Sequence, residues 1–155
     1  MIISPQGYVH ATAIAIGGRG VLIRGRSGTG KSRLAEALIQ GAEGAGRSSE
    51  LVGDDRVRLV AGPSGVDIMP HPCIAGLIER RGEGIEALPY TPSARLALIL
   101  ELGGGAPSPG EHATAPLLAE TASETVLGHA IAKIGFPAKP AIANVLPLVL
   151  AALAK

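Results

Sequence analysis

At 155 residues the chain is the size of one domain, large enough to bury a real core but too short to add a regulatory domain of any size. Fourteen basic and thirteen acidic residues leave a net charge of +1 without a run of either sign, and the aromatics are only Tyr8, Tyr90 and Phe136. A duplex-binding surface and a stacking platform for single strands are both disfavoured, so no nucleic-acid partner is expected.

The lone Cys73 has no internal disulfide partner, and the first residues lack the charged and apolar regions of a secretory signal. The longest apolar stretch, Ile142 to Ala154, is shorter than a membrane span and contains Pro147, so it reads as a buried or subunit-interface helix. A cytoplasmic protein with no membrane association is expected.

In chain order, His10 to Ile16 alternates and then runs apolar, and Gly17-Gly18-Arg19-Gly20 supplies a tight turn into Val21 to Arg24. This predicts a β-hairpin. A glycine-rich loop follows, then Leu34, Ala35, Leu38 and Ile39 at helical spacing, which predicts a helix over 31–40. Gly41 to Ser49 reads as a loop, and Leu51 to Asp55 as a strand ending in two carboxylates. A second hairpin is expected from Val57 to Val60 and Val66 to Met69, turning at 62–65 and broken by Pro70 and Pro72.

One or two helical turns are expected over Ile74 to Arg80, with Arg81 to Ile85 irregular because two glycines flank one charged residue. Ala94 to Leu102 reads as a strand and Gly103 to Gly110, rich in glycine and proline, as a surface loop. Short strands over Glu124 to Leu127 and Ile131 to Gly135 precede Pro137, Pro140 and the C-terminal helix. The sum is an α/β domain whose mixed sheet contains β-hairpins, because the strand entering the glycine loop has an antiparallel neighbour.

The chemistry is organised around Gly25, Arg26, Ser27, Gly28, Thr29, Gly30, Lys31 and Ser32. Gly25, Gly30, Lys31 and Ser32 fit the phosphate-binding loop, in which backbone N–H groups turn inward to cradle phosphate oxygens at a helix N-terminus. Strand, loop and helix in that order favour a nucleoside triphosphate over a structural turn. Lys31 would reach the β and γ phosphates and the Ser32 hydroxyl would sit on Mg²⁺.

Asp54 and Asp55 are the second landmark. Phosphoryl transfer needs a carboxylate near the metal and a group that takes a proton from the acceptor hydroxyl. Adjacent side chains on an extended backbone point to opposite sides, so we assign proton acceptance to Asp55 and support of the metal or Lys31 to Asp54. A turn opened by an Asp pair is the plainer reading. Glu79, Arg80, Arg81 and Glu83 form a charge cluster among glycines, either a solvated surface or a source of a metal oxygen from Glu79. His10, beside the loop, is either a phosphate contact or a structural histidine. His71, His112 and His129 lack partners at metal-ligand spacing, and Cys73 reads as an inert thiol.

These residues together resemble the bacterial HPr kinase/phosphorylase family. The likeness lies in His10 to Lys31, in Leu51-Val52-Gly53-Asp54-Asp55-Arg56-Val57, and in Ile78-Glu79-Arg80-Arg81-Gly82-Glu83-Gly84-Ile85, about half of the chain and in the family's order. It resembles the C-terminal catalytic domain, 1–155 forming a single P-loop kinase domain without the usual N-terminal domain. The resemblance implies an ATP- and Mg²⁺-dependent kinase acting on a serine of the phosphocarrier protein HPr, in a homo-oligomer, usually a hexamer. It also implies the reverse phosphorolysis, with Lys31 on the phosphates, Ser32 and Glu79 on the metal, Asp55 as proton acceptor and His10 on phosphate.

The chain departs from the family at Arg33, where an acidic residue is usual, and at Glu83, where an apolar one is usual. After Pro137-Ala138-Lys139-Pro140 the family carries an active-site arginine that Ile142 and its neighbours do not offer, which bears on the reverse reaction. Two other readings share the loop. A small-metabolite kinase would normally close an arginine-bearing lid, and the 103–110 segment has no arginine. A regulatory module would hold ATP or phosphate without turnover, and Arg33 is the residue that favours it.

Overall fold

The computed structural model describes residues 1–80, 82–103 and 120–154. Its elements are β1 (Tyr8–Val9), β2 (Thr12–Ile16), β3 (Arg19–Gly25), α1 (Lys31–Gly44), β4 (Ser49–Gly53), β5 (Val57–Gly62) and β6 (Gly65–Pro70). After a short 3₁₀ turn at Pro72–Ile74 come β7 (Leu77–Arg80), β8 (Gly84–Ala87), β9 (Ala94–Leu102), β10 (Glu120–Val126), β11 (His129–Phe136) and α2 (Ile142–Leu153).

The main sheet runs in the order β1-β5-β6-β9-β3-β2-β4, with β11 branching from β9 and β10 pairing with β11. β3 lies parallel to β9 and antiparallel to β2, and β11 also runs parallel to β9. The sheet is therefore mixed, as the hairpin before the glycine loop led us to expect. β3 is central and covered on both faces, which is why Val21 to Ile23 reads as an unbroken apolar run. Val21 and Ile23 join the core under α1 and α2, while Leu22 joins the opposite core with Val57, Leu59, Val66 and Ile68.

α1 continues through Gly44 instead of giving way to a loop at Gly41. Ala42 is fully buried, and a Cβ on Gly41 would stand 2.7 Å from Leu146 Cδ2, so that glycine serves the close approach of α2. α2 buries Val145, Val149 and Leu153 along one stripe, and no basic residue of its own lies in its last turn. Arg19 Nη1, from the β2–β3 turn, donates to Leu153 O at that end. Among the described residues no helix is long and apolar enough to cross a membrane.

The expected helical turns over Ile74 to Arg80 are replaced by strand. Leu77–Arg80 pairs antiparallel with Gly84–Ala87 as a separate two-stranded sheet, so the segment expected to be irregular is a hairpin turn and the start of β8. Gly76 and Gly82 hold positive φ (76° and 80°) on either side of β7, leaving too few residues between them for a helix. β1 and β2 are separate strands, so His10 lies in the corner between them and not at the head of the hairpin. β10 and β11 are each longer than expected, and of the 103–110 loop only Gly103 falls within the described residues.

A part-buried charge network ties four strands, β3, β9, β10 and β11, at the loop end of the sheet. Arg24, its side chain 9% exposed, donates to Glu124 at 2.5 and 2.8 Å and to Glu101 at 2.6 Å, and Lys133 lies 3.2 Å from Glu124. The hydrogen bonds from Arg24, against some burial and with help from Lys133, hold the Glu124 carboxyl down to about 2, from an ordinary 4.5. A depressed carboxyl contributes stability above its unfolded value, and that stability is lost as pH falls toward the folded one. Glu124→Gln should therefore cost about 2 kcal/mol near neutrality. In urea titrations its deficit against wild type should shrink as pH drops from 4.5 toward about 2.

Candidate functional site

β3 ends at Gly25, where the backbone turns away from the sheet and α1 begins six residues later at Lys31. A Cβ on Gly25 would lie 2.6 Å from Thr29 Oγ1 and 2.8 Å from Leu102 O, so only glycine permits that turn. Within it Thr29 Oγ1 donates to Arg26 O at 2.7 Å, and Gly30 caps the helix at φ 91°. The cap has no side-chain hydrogen bond and the first helical turn no acidic residue. Lys31 Nζ folds back onto its own loop, donating to Gly25 O at 2.8 Å and Arg26 O at 3.1 Å.

Asp54 sits at the centre of the site. It is 3% exposed and accepts from Ser32 Oγ at 2.5 Å and from Thr12 Oγ1 at 2.8 Å through Oδ1. Through Oδ2 it accepts from the Glu79 amide at 3.0 Å. α1, β2 and β7 thus converge on one carboxylate. Its partner in the loop is Ser32 and not Lys31, because the lysine is occupied by carbonyls.

Asp55 takes φ 65°, a left-handed conformation that Asp tolerates better than most residues. Its amide donates to Thr12 Oγ1 at 3.4 Å and its carboxylate turns outward to within 3.2 Å of His10 Nδ1. These two side chains are 63% and 72% exposed. Beside Asp55 opens a cleft of 320 Å³ lined also by Arg56, His71, Cys73 and Ile74.

Glu79 comes to the site by its backbone, with its own side chain exposed. Arg80, the next residue, forks onto Glu36 of α1 at 2.6 and 3.0 Å and pairs with Glu86 of β8, so the hairpin carrying Glu79 is clasped to the loop helix. The hydrogen bonds with Glu36 raise the Arg80 guanidinium further above its ordinary value.

Among the described residues no three carboxylate, imidazole or thiol groups gather to hold a metal by themselves. The donors present are the Ser32 hydroxyl, Asp54 and the side chain of Glu79, whose own amide is anchored on Asp54. They are hard oxygens suited to a magnesium ion that draws its other ligands from phosphates and water. The Gly25 turn, the uncapped α1 terminus and Lys31 fit a chain of phosphates.

Sequence reasoning missed three contributors. Thr12, buried in an apolar strand, bridges Asp54 and the Asp55 amide. The Glu36–Arg80 clasp joins residues of two different elements, and nothing in their spacing announces it. Lys139 donates its amide to Thr29 O at 2.9 Å, in the loop itself.

Residues 2–153 match the family described as the HPr Serine kinase C-terminal domain. The chain belongs to that family. Two of its relatives are the HPr kinase/phosphorylases of Mycoplasma mycoides subsp. mycoides SC and Burkholderia lata. The first is 40% identical over 82 residues, 53% of this chain, and the second 40% over 85 residues, 54% of it. Each match spans 24% of the relative's own length. The fold is also that of the Hpr(Ser) kinase/phosphatase from Coxiella burnetii, with a TM-score of 0.70 and 26% identity over 95% of this chain and 93% of that one.

Asp54 and Asp55 should separate in stability measurements. Asp54→Ala strands the buried Thr12 hydroxyl and should cost about 3 kcal/mol in urea unfolding. Asp55→Asn, exposed and at a φ that Asn also accepts, should stay within about 0.5 kcal/mol of wild type.

Proposed function

We propose that residues 1–155 form one kinase domain that transfers the γ phosphoryl group of ATP, with Mg²⁺, to a serine of the phosphocarrier protein HPr. The names of the relatives support the substrate. The reading also places the protein in the cytoplasm, as a homo-oligomer of the hexameric kind the family resemblance implies. The observation that carries it is the Asp54 junction, which holds the Ser32 hydroxyl of the glycine loop at 2.5 Å, with Asp55 the next residue along the chain.

Loop amides and Lys31 hold the phosphates; Lys31 Nζ exchanges two carbonyl partners for phosphate oxygens, a stronger charge-assisted contact. Ser32 and Glu79 are the metal-side oxygens, with Asp54 orienting Ser32 from behind. When bound, Mg²⁺ offsets charge on the transferring group. The cleft of 320 Å³ brings the acceptor side chain against Asp55, whose carboxylate takes the serine proton as the hydroxyl oxygen attacks. His10, 3.2 Å from Asp55, contacts the transferred phosphate in this reading. In the reverse, phosphorolytic direction an oxygen of inorganic phosphate attacks the phosphoserine phosphorus, the serine O–P bond breaks as pyrophosphate forms, and Asp55 returns its proton to the serine oxygen.

Incubation with ATP, Mg²⁺ and HPr followed by mass spectrometry should show phosphate on a serine. Asp55→Asn should slow that transfer about 10²- to 10⁴-fold, with ATP affinity by calorimetry unchanged. ATP binding by wild type with no transfer to HPr would overturn the kinase reading in favour of a regulatory module.

A further inference from the structure

Lys139 lies beyond β11, in the segment leading to α2, yet it is locked onto the glycine loop. Its amide donates to Thr29 O at 2.9 Å, and its Cγ and Cα lie 3.6 and 3.7 Å from the point where Gly30 would carry a Cβ. It holds φ 51°, one of only three non-glycine residues with positive φ among the described residues. A left-handed lysine is strained, and such strain persists only where the surroundings impose it. Here they do: Phe136 O accepts from Gly103 N at 2.8 Å, and a Cβ on Gly103 would stand 3.3 Å from Thr29 Cγ2, so the strand end before Lys139 lies close to the loop.

The ammonium of Lys139 makes no ion pair or hydrogen bond among the described residues, and the side chain is exposed. Arg26 and Arg33 also lack such partners, so charge alone does not single out Lys139. Of these three only Lys139 is held to the loop from outside it, by its own backbone, at Thr29 and Gly30 just before α1. A flexible four-carbon stem rooted there lets its ammonium swing toward a phosphate held in the loop.

We propose that Lys139 is a second phosphate-binding cation, closing the loop from the α2 side and contacting the terminal phosphate together with Lys31. The assignment rests on the P-loop reading above and adds a residue to it. It also gives the positive φ a reason, since the conformation that costs stability aims the side chain across Gly30.

Two variants separate the charge from the backbone. Lys139→Gly removes the cation and suits φ 51°, so it should melt at or above the wild-type temperature. In calorimetric titrations with MgATP it should bind about tenfold more weakly, and inorganic pyrophosphate should also weaken, whereas Lys139→Arg should stay within about threefold of wild type. Wild-type affinity in Lys139→Gly, or an equal loss in Lys139→Arg, would overturn the proposal. Lys31→Ala serves as the control. If it abolishes MgATP binding while Lys139→Gly does not, only the assignment of Lys139 falls; if wild type itself binds no MgATP, the P-loop reading falls with it.

Discussion

A single buried carboxylate holds this site together. Asp54 joins a strand hydroxyl, the first turn of the loop helix and the amide of a separate hairpin. A charged group this far from water is tolerated because three donors meet it, and removing any of them leaves the rest under-satisfied. The consequence is directional. With Asp54 fixed inward, its neighbour has to emerge on the outer side, and the positive φ of Asp55 brings it toward His10.

A second layer of charge keeps the neighbouring strands in place. Arg24 lies one residue before the glycine turn and is gripped by carboxylates from β9 and β10, while Arg80 grips α1 and β8. Neither network touches the cradle. Each anchors an element that does: β3 delivers Gly25, and β7 delivers Glu79. Arg24 is nearly enclosed and Arg80 about a third exposed, so solvent screens the second pair more than the first.

The parts of the molecule legible in the sequence are those whose signal is local. Gly17 to Gly20 announced the first hairpin, Val21 to Ile23 announced a strand buried on both faces, and the glycine loop with its following helix was readable from spacing. The β7–β8 hairpin was misread because Ile74 to Arg80 carries an apolar spacing compatible with a helix, and its strand character comes from pairing with residues 84–87. Helix α1 outran its expected end because Gly41, a breaker on propensity alone, is needed where Leu146 presses close. The roles of Thr12, Glu36 and Lys139 are tertiary. No periodicity within His10 to Ile16 tells that one hydroxyl will serve two aspartates, and no spacing places a lysine from beyond β11 on Thr29.

The parallel register of β3 with β9, in which Gly25 lies opposite Leu102, has a kinetic meaning. Strands so far apart along the chain can meet only after a large loop has closed, and such pairings form late. The turn at Gly25 leans on Leu102, so a nascent or partly folded chain has no cradle to offer. The shape of the glycine loop is in this protein set by the completion of the sheet, and a chain caught halfway would lack that shape without being damaged.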